Sequence, residues 1–317
     1  MKNICLVTNY NYAGYLGDCL VSIATQTRTF DQVIIVDDGS TDSSREIISR
    51  FCRDCSYANP VYKDNGGQLS CFHAALELID PDDFVFFMDA DDRYPPDYLE
   101  QLSPFIAEGK GDFVFVDPVR FRDGEHYLTT AVIAPEKTFD FASTSALTRK
   151  TFCWIGAATS CISMRGSLVR TLLPYPFEKD WVTRADDVLI YGASIIGAHK
   201  LYVASLGVNY RIHEKNKFMG RELSSNERAD WRVRHERLFK WYADKTGLPE
   251  RPTVKNALYE AALIPKSIRQ RFGILSPTVL FFYDILLVIP IARLLFKDMA
   301  GGRRQLKVQL DGRPKNE

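Results

Sequence analysis

Asp83-Phe84-Val85-Phe86-Phe87-Met88-Asp89-Ala90-Asp91-Asp92 is the stretch whose reading decides the fold. An unbroken apolar run bounded by charge describes a strand, Asp83–Met88, buried on both faces. It ends in three carboxylates within four residues. Two earlier segments have the same shape. Ile4–Thr8 is a short apolar run that leads into Tyr10-Asn11, and Gln32–Val36 runs into Asp37-Asp38-Gly39-Ser40. Between them, Leu16, Leu20, Ile23 and Ala24 recur at helical spacing, and Arg45–Phe51 reads as a helix with Asp42 as N-cap.

Outward from there the alternation continues. Pro60–Tyr62 reads as a short strand before Asn65-Gly66-Gly67, and His73–Ile79 as a helix. Pro95-Pro96 opens a helix over Asp97–Ile106, and Asp112–Val116 is a further strand. This order predicts an α/β fold, a mostly parallel sheet with helices on both faces. Residues 118–165 read as loops and short strands. Asp186–Ile196 and Asn226–Lys245 read as helices, and Lys200–Tyr210 as a late strand.

The 317 residues are 46% apolar and 25% charged, with 40 Lys+Arg against 40 Asp+Glu. That composition excludes a disordered chain, and the zero net charge gives no reason to expect a nucleic-acid partner. The charge is uneven. Residues 265–317 carry 10 Lys+Arg and 4 Asp+Glu, so the tail is basic and the body acidic. Seven cysteines, an odd number in a long chain, argue against a disulfide scaffold, and Cys52-x-x-Cys55 lacks the second pair a zinc site needs. The apolar run Ile4–Val7 is too short for a signal-peptide core, so a reducing, cytoplasmic setting is expected.

Parallel sheets bind ligands outside the carboxyl ends of their strands, where both Asp clusters fall here. In Asp89-Ala90-Asp91-Asp92, mutual repulsion calls for a cation or for hydrogen-bond donors. Mg²⁺ or Mn²⁺ suits such oxygens, whereas a solvated turn opening a helix is the other reading. At Asp37-Asp38-Gly39-Ser40 a carboxylate could take an N–H from a base or hydroxyls from a ribose; a turn with an N-cap is the alternative.

Tyr10-Asn11, Asp37-Asp38-Gly39-Ser40, Asn65-Gly66-Gly67-Gln68 and Asp89-Ala90-Asp91-Asp92, in that order, resemble the family 2 inverting, nucleotide-sugar-dependent glycosyltransferases over about residues 3–215. The resemblance implies the GT-A fold. Thr8 and Tyr10 would line the nucleotide pocket, and Asp38 would accept the N3–H of a pyrimidine. Asp89 would contact the ribose, and Asn65, Gly66 and Gln68 would lie near ribose or sugar. Asp91 would ligate Mn²⁺ or Mg²⁺ held by the diphosphate. The family base belongs to an acidic pair opening a later helix; Asp186-Asp187 fits, with Asp187 favoured and the choice within the pair open. Asn209-Tyr210-Arg211-Ile212-His213 fits a Tyr-Arg-x-His segment, in which His213 would complete the metal site. Arg211 would either neutralise diphosphate charge or brace the acidic cluster. His73 stands where the family often has Asn, and receives no role.

The expected activity is transfer from a UDP- or dTDP-linked sugar to a hydroxyl of a glycan or lipid-linked acceptor, in cell-surface polysaccharide synthesis. A nucleotidyltransferase, or a non-catalytic nucleotide-sugar-binding protein, is the alternative; pyrophosphate release or absent turnover would distinguish them. The expected division is a catalytic domain at 1–220 and a helical region at 221–317. Within the latter, Ile274–Phe296 is apolar but carries Asp284, Arg293, Pro277 and Pro290, and basic residues flank it. That pattern suits a helix in a cytoplasmic membrane interface better than a span. Packing on the domain or on a second copy in a homo-oligomer is the other reading.

Overall fold

The structure, a computed structural model, describes residues 1–109, 111–134, 137–214, 224–249 and 252–280. The chain runs β1 (Asn3–Asn9), α1 (Ala13–Ala24), β2 (Gln32–Asp38), α2 (Ser44–Asp54), β3 (Ala58–Lys63), α3 (Gln68–Ala74), β4 (Phe84–Asp89), α4 (Tyr98–Ala107) and β5 (Phe113–Phe121). It continues with β6 (Thr138–Phe141), α5 (Ser145–Thr151), β7 (Ile162–Arg165), α6 (Gly166–Leu172), α7 (Ala185–Ile195) and β8 (Lys200–Arg211). Three helices follow: α8 (Ser225–Lys245), α9 (Val254–Leu263) and α10 (Lys266–Arg271).

Eight strands form one sheet in the order β3-β2-β1-β4-β7-β5-β8-β6. β1 pairs in parallel with both β2 and β4, β2 with β3, and β5 with β8. β7 lies antiparallel between β4 and β5, and β6 is antiparallel to β8. The sheet is therefore mixed, with parallel pairing dominant at the end that carries the Asp motifs. The sequence explains each place. Ile4–Val7, Val33–Val36 and Phe84–Met88 are all 0% exposed, as unbroken apolar strands in the sheet interior must be. Burying each such side chain contributes about 1.5–3 kcal/mol, and Phe86→Ala would cost about 3–5 kcal/mol. β3 contains Pro60 and sits at the sheet edge, where a missing N–H is tolerated.

The chain steps outward from β1 through β2 to β3, then returns to β4 on the other side of β1. Right-handed crossovers put α1 and α2 on one face and α3 on the other. The reversal makes the carboxyl ends of β1 and β4 a switch point, the usual place for a ligand.

Three local readings change. The helix expected over His73–Ile79 starts earlier, as α3, and ends at Ala74, with a separate 3-10 turn at Leu76–Leu78. The N-cap of α2 is Ser43; the Asp42 carboxylate instead accepts the Ser44 and Ala13 backbone N–H groups at 3.0 and 2.9 Å, tying the starts of α1 and α2 together. The 118–165 stretch contains a helix, α5, beside its strands.

The chain divides into two compact units. The first comprises Met1–Ala142, Gly156–Ala193 and Ala198–His213. The second takes Ser143–Ile155, Ser194–Gly197 and the described residues from Glu214 onward, so it draws in stretches that lie before residue 220. Within it, Glu260 of α9 accepts the Ala146 and Leu147 N–H groups at 3.2 and 2.7 Å, capping α5. Ser224 and Glu227 form a reciprocal capping box that fixes the start of α8. Among the described residues no helix is long and apolar enough to cross a membrane. Residues 281–317, which include most of the apolar 274–296 segment, lie outside the described residues.

Candidate active site

The switch point gathers the predicted residues from three strand ends. Thr8 on β1 lies opposite Asp89 on β4, and its hydroxyl donates to Asp89 Oδ1 at 3.4 Å. Gln68, the first residue of α3, donates its amide to the same oxygen at 2.6 Å. Thr8, Gln68 and Asp89 therefore form one hydrogen-bonded group. Tyr10 stands 43% exposed just beyond β1.

Asp89, Asp91 and Asp92 bring carboxylate oxygens within 4.8 Å of one another. Burial, and then the charges of Asp91 and Asp186, push the Asp89 carboxyl well above the usual range. Burial, and then Asp91 and Asp89, do the same to Asp92. A cation would remove that penalty. His213 Nε2 stands 2.9 Å from Asp91 Oδ2, so the two metal ligands expected from sequence face each other. Carboxylate oxygens with one imidazole fit Mn²⁺ well and Mg²⁺ adequately. Tyr15 stacks on His213 at 4.5 Å and Tyr12 meets it edge-on at 5.7 Å, which fixes the ring.

Arg211 lies against the acidic loop. It is 1% exposed. Its backbone N–H donates to Asp92 Oδ1 and its Nε to the Asp91 carbonyl, both at 2.8 Å. The rest of the guanidinium pairs with Asp18 and Asp123 and lies over the Tyr15 and Phe121 rings.

Asp38 is turned to its own chain. Its oxygens accept the Gly66 and Gly67 N–H groups at 2.9 and 2.8 Å and Lys63 Nζ at 2.5 Å. Asn65 donates to the Asp38 carbonyl at 3.1 Å. The carboxylate thus organises the Asn65-Gly66-Gly67 loop. Gly67 has φ +88°, and a Cβ there would come 2.5 Å from Val182 Cα. Only glycine allows this approach, which seats the loop against the segment leading into α7. The Gln68 N–H donates to the Val182 carbonyl at 3.2 Å across the same contact. His73 braces that segment: its Nε2 accepts the Tyr175 N–H at 3.1 Å, so the ring proton sits on Nδ1, 2.5 Å from Glu178.

The two members of the Asp186-Asp187 pair differ. Asp187 is 0% exposed and held by Arg184 through two bonds of 2.9 and 3.0 Å. Burial opposes the Arg184 charge, but Asp187 and then Asp186 prevail and keep the guanidinium protonated. Asp186 is half-buried, and its charge acts on Asp89. The sequence favoured Asp187 and left the choice within the pair open; Asp187 is the member held by Arg184, and Asp186 the member whose charge acts on Asp89.

Sequence reasoning missed Ser160 and Thr159. Ser160 is 0% exposed, donates to Asp92 Oδ2 at 2.6 Å and accepts the Asp89 N–H at 3.0 Å. Thr159 lies 3.4 Å from the Gln68 amide. Both come from the irregular middle of the chain, where no periodicity marks them. All seven cysteines are free thiols, and Cys52-x-x-Cys55 holds no disulfide.

A mixed sheet with a switch point, an acidic cluster beside it and a second acidic pair opening a later helix define a nucleotide-sugar transferase fold of the GT-A type. The family description "Glycosyl transferase family 2" matches residues 4–168, just over half of the chain. The chain belongs to that family and is a glycosyltransferase. An uncharacterized glycosyltransferase of Nostoc sp. is 29% identical over 238 residues, covering 72% of this chain and 70% of that protein. The poly(ribitol-phosphate) beta-N-acetylglucosaminyltransferase TarS of Staphylococcus aureus is 29% identical over 119 residues, 37% of this chain and 21% of that one. Its residues 1–349, in complex with UDP-GlcNAc, superpose with TM-score 0.57 at 16% identity, covering 96% of this chain and 92% of that one. A Pyrobaculum calidifontis mannosyltransferase in complex with GDP-Man and Mn²⁺ superposes with TM-score 0.50 at 16% identity, covering 98% and 88%.

Proposed function

We propose that the protein moves a sugar from a UDP- or dTDP-linked donor to a hydroxyl of a glycan or lipid-linked acceptor, with inversion, in cell-surface polymer synthesis. The observation that carries this is the facing pair Asp91–His213, beside Asp89 at the switch point and with the charge of Asp186 acting on the same cluster. The similarity to TarS, a poly(ribitol-phosphate) beta-N-acetylglucosaminyltransferase with a structure in complex with UDP-GlcNAc, supports the polymer acceptor and the uridine nucleotide.

Thr8, Tyr10, Asn65, Gly66, Gln68 and Asp89 form the wall for nucleoside and sugar, with Asp38 setting the shape of the glycine loop. Asp91 and His213 would hold Mn²⁺ or Mg²⁺. Such an ion, when bound, would supply positive charge against the leaving diphosphate. Arg211 keeps Asp91 and Asp92 in place from behind. Asp186 takes the acceptor hydroxyl proton as the oxygen attacks the anomeric carbon, and Asp187 anchors the start of α7 through Arg184.

Incubating the protein with Mn²⁺ and a panel of nucleotide sugars, with proton NMR of the released sugar, tests the reading. A β-configured first product from an α-linked donor is expected. Retention of configuration, or no turnover of any donor, overturns it. Asp186→Asn should abolish turnover while UDP binding persists; Asp187→Asn should mainly lower Tm. We also infer that the basic, apolar tail attaches the enzyme to the cytoplasmic face of a membrane. Co-sedimentation with vesicles that does not rise with anionic lipid content removes that part.

A further inference from the structure

Three consecutive residues near the end of β8 behave differently. Asn209 and Arg211 are both 1% exposed and fully engaged. The Asn209 side chain accepts the Leu128 N–H at 2.7 Å and donates to the Leu128 carbonyl at 3.0 Å. Arg211 ties to Asp91, Asp92, Asp18 and Asp123. Tyr210 between them points to the opposite side of the sheet, as strand alternation requires. It is half-buried, and its hydroxyl has no hydrogen-bond partner among the described residues.

Its place is fixed from both sides. Asn209 and Arg93 exchange backbone bonds of 3.1 Å, and the Arg211 N–H reaches Asp92 at 2.8 Å, so β8 is pinned to the acidic loop around Tyr210. The charges that act on the phenol are those of Asp92, Asp89, Asp91 and Asp186. Burial first, then these carboxylates, hold it neutral, so it remains an O–H donor at every working pH. A neutral donor on a strand pinned to the acidic loop, bonded to none of its carboxylates, has its acceptor in whatever enters the space.

We propose that Tyr210 determines donor specificity by donating its phenol O–H to a hydroxyl oxygen of the sugar being transferred, between the metal-holding acids and Asp186. This rests on the glycosyltransferase reading. In-line displacement needs the anomeric carbon between the leaving diphosphate and the base, so the sugar ring occupies the interval that Tyr210 overlooks. A diphosphate oxygen is the other acceptor of the same chemistry, and the experiment separates the two.

The test uses full-length Tyr210→Phe with Mn²⁺, reading UDP affinity by calorimetry and donor hydrolysis with water as acceptor. The expected result is an unchanged UDP Kd, an unchanged Tm and a fall of about 10- to 100-fold in kcat/KM for the preferred donor. With monodeoxy donors, wild type should lose a similar factor at one hydroxyl position, and at that position the Phe variant should lose nothing more. Equal kcat/KM in variant and wild type overturns the proposal, as does a UDP affinity that falls in parallel, which assigns the contact to phosphate. Should the variant not fold, the wild-type deoxy series decides, and no sensitive position overturns the proposal. A wild type that turns over no nucleotide sugar defeats the parent reading; turnover insensitive to Tyr210 defeats this one alone.

Discussion

The carboxyl ends of β2 and β4 flank β1 and both end in aspartates, yet they are treated in opposite ways. At β2 the chain supplies every partner itself. Asp37 is 0% exposed and accepts from Asn9, Ser40 and Arg45 at 3.0, 3.1 and 2.9 Å, and Asp38 from two glycine amides and Lys63. At β4, among the described residues, no Lys or Arg pairs with the Asp89, Asp91 or Asp92 carboxylates; only His213 and neutral donors reach them. Arg211 sits directly behind, but its charge is directed to Asp18 and Asp123. The lesson is that a buried acid is neutralised internally where it builds a turn, and left short of positive charge where a ligand brings it.

The contrast can be broken by substitution. The largest effect belongs to Asp91→Asn, which should lower Mn²⁺-dependent turnover by more than about 100-fold, or about 3 kcal/mol, while leaving Tm close to wild type. Turnover within a few-fold of wild type would place the metal elsewhere. Asp37→Ala should instead cost about 3 kcal/mol of stability in urea unfolding, with the Mn²⁺ affinity of the folded protein unchanged. Addition of Mn²⁺ at about 100 times its Kd should stabilise the wild type by about 2.7 kcal/mol and Asp91→Asn by much less. EDTA should reverse the shift.

The two ends also predict opposite pH behaviour. Burial raises and hydrogen bonds from Ser40, Arg45 and Asn9 lower the Asp37 pKa, the net being downward. Its contribution is therefore complete above the ordinary carboxylate value of about 4 and is lost as pH falls through the lower folded value. Asp89 and Asp92 are raised, so without metal their ionisation costs stability as pH rises through their folded values. In EDTA, urea midpoints of Asp89→Asn against wild type should converge as pH falls toward about 4, whereas those of Asp37→Asn should converge with wild type only below it. The smallest change is expected for Arg45→Ala. Half of its side chain is in water, so its pair with Asp37 is screened, and Tm should stay within the scatter of repeated scans.

Much of the first half of the fold is legible because its strands are unbroken apolar runs, and such runs have few structures open to them. Phe84–Met88 can only be buried on both faces, and Gly67 can only be glycine once the loop meets Val182. The residues at the strand ends were visible for the same reason, since polar clusters after such runs must lie at the sheet edge. The Ser160 support of Asp92, the α5 helix in the irregular middle and the turning of Asp38 toward Gly66 and Gly67 were not legible. Each depends on contacts between residues far apart in the chain, and side-chain chemistry alone does not reveal which partner arrives.

The amino-acid order alone determined the alternation of strands and helices and the edge on which the acids gather, because periodicity and strand direction are local properties; the approach of His213 to Asp91 was expected only from the resemblance of its segment to a family pattern. The tertiary structure alone decided which carboxylates are neutralised. Arg184 closes over Asp187, Arg211 turns to Asp18 and Asp123, and Tyr210 keeps a hydroxyl without a partner among the described residues. Those outcomes follow from three-dimensional distances, on which electrostatic energy depends and which no spacing along the chain encodes.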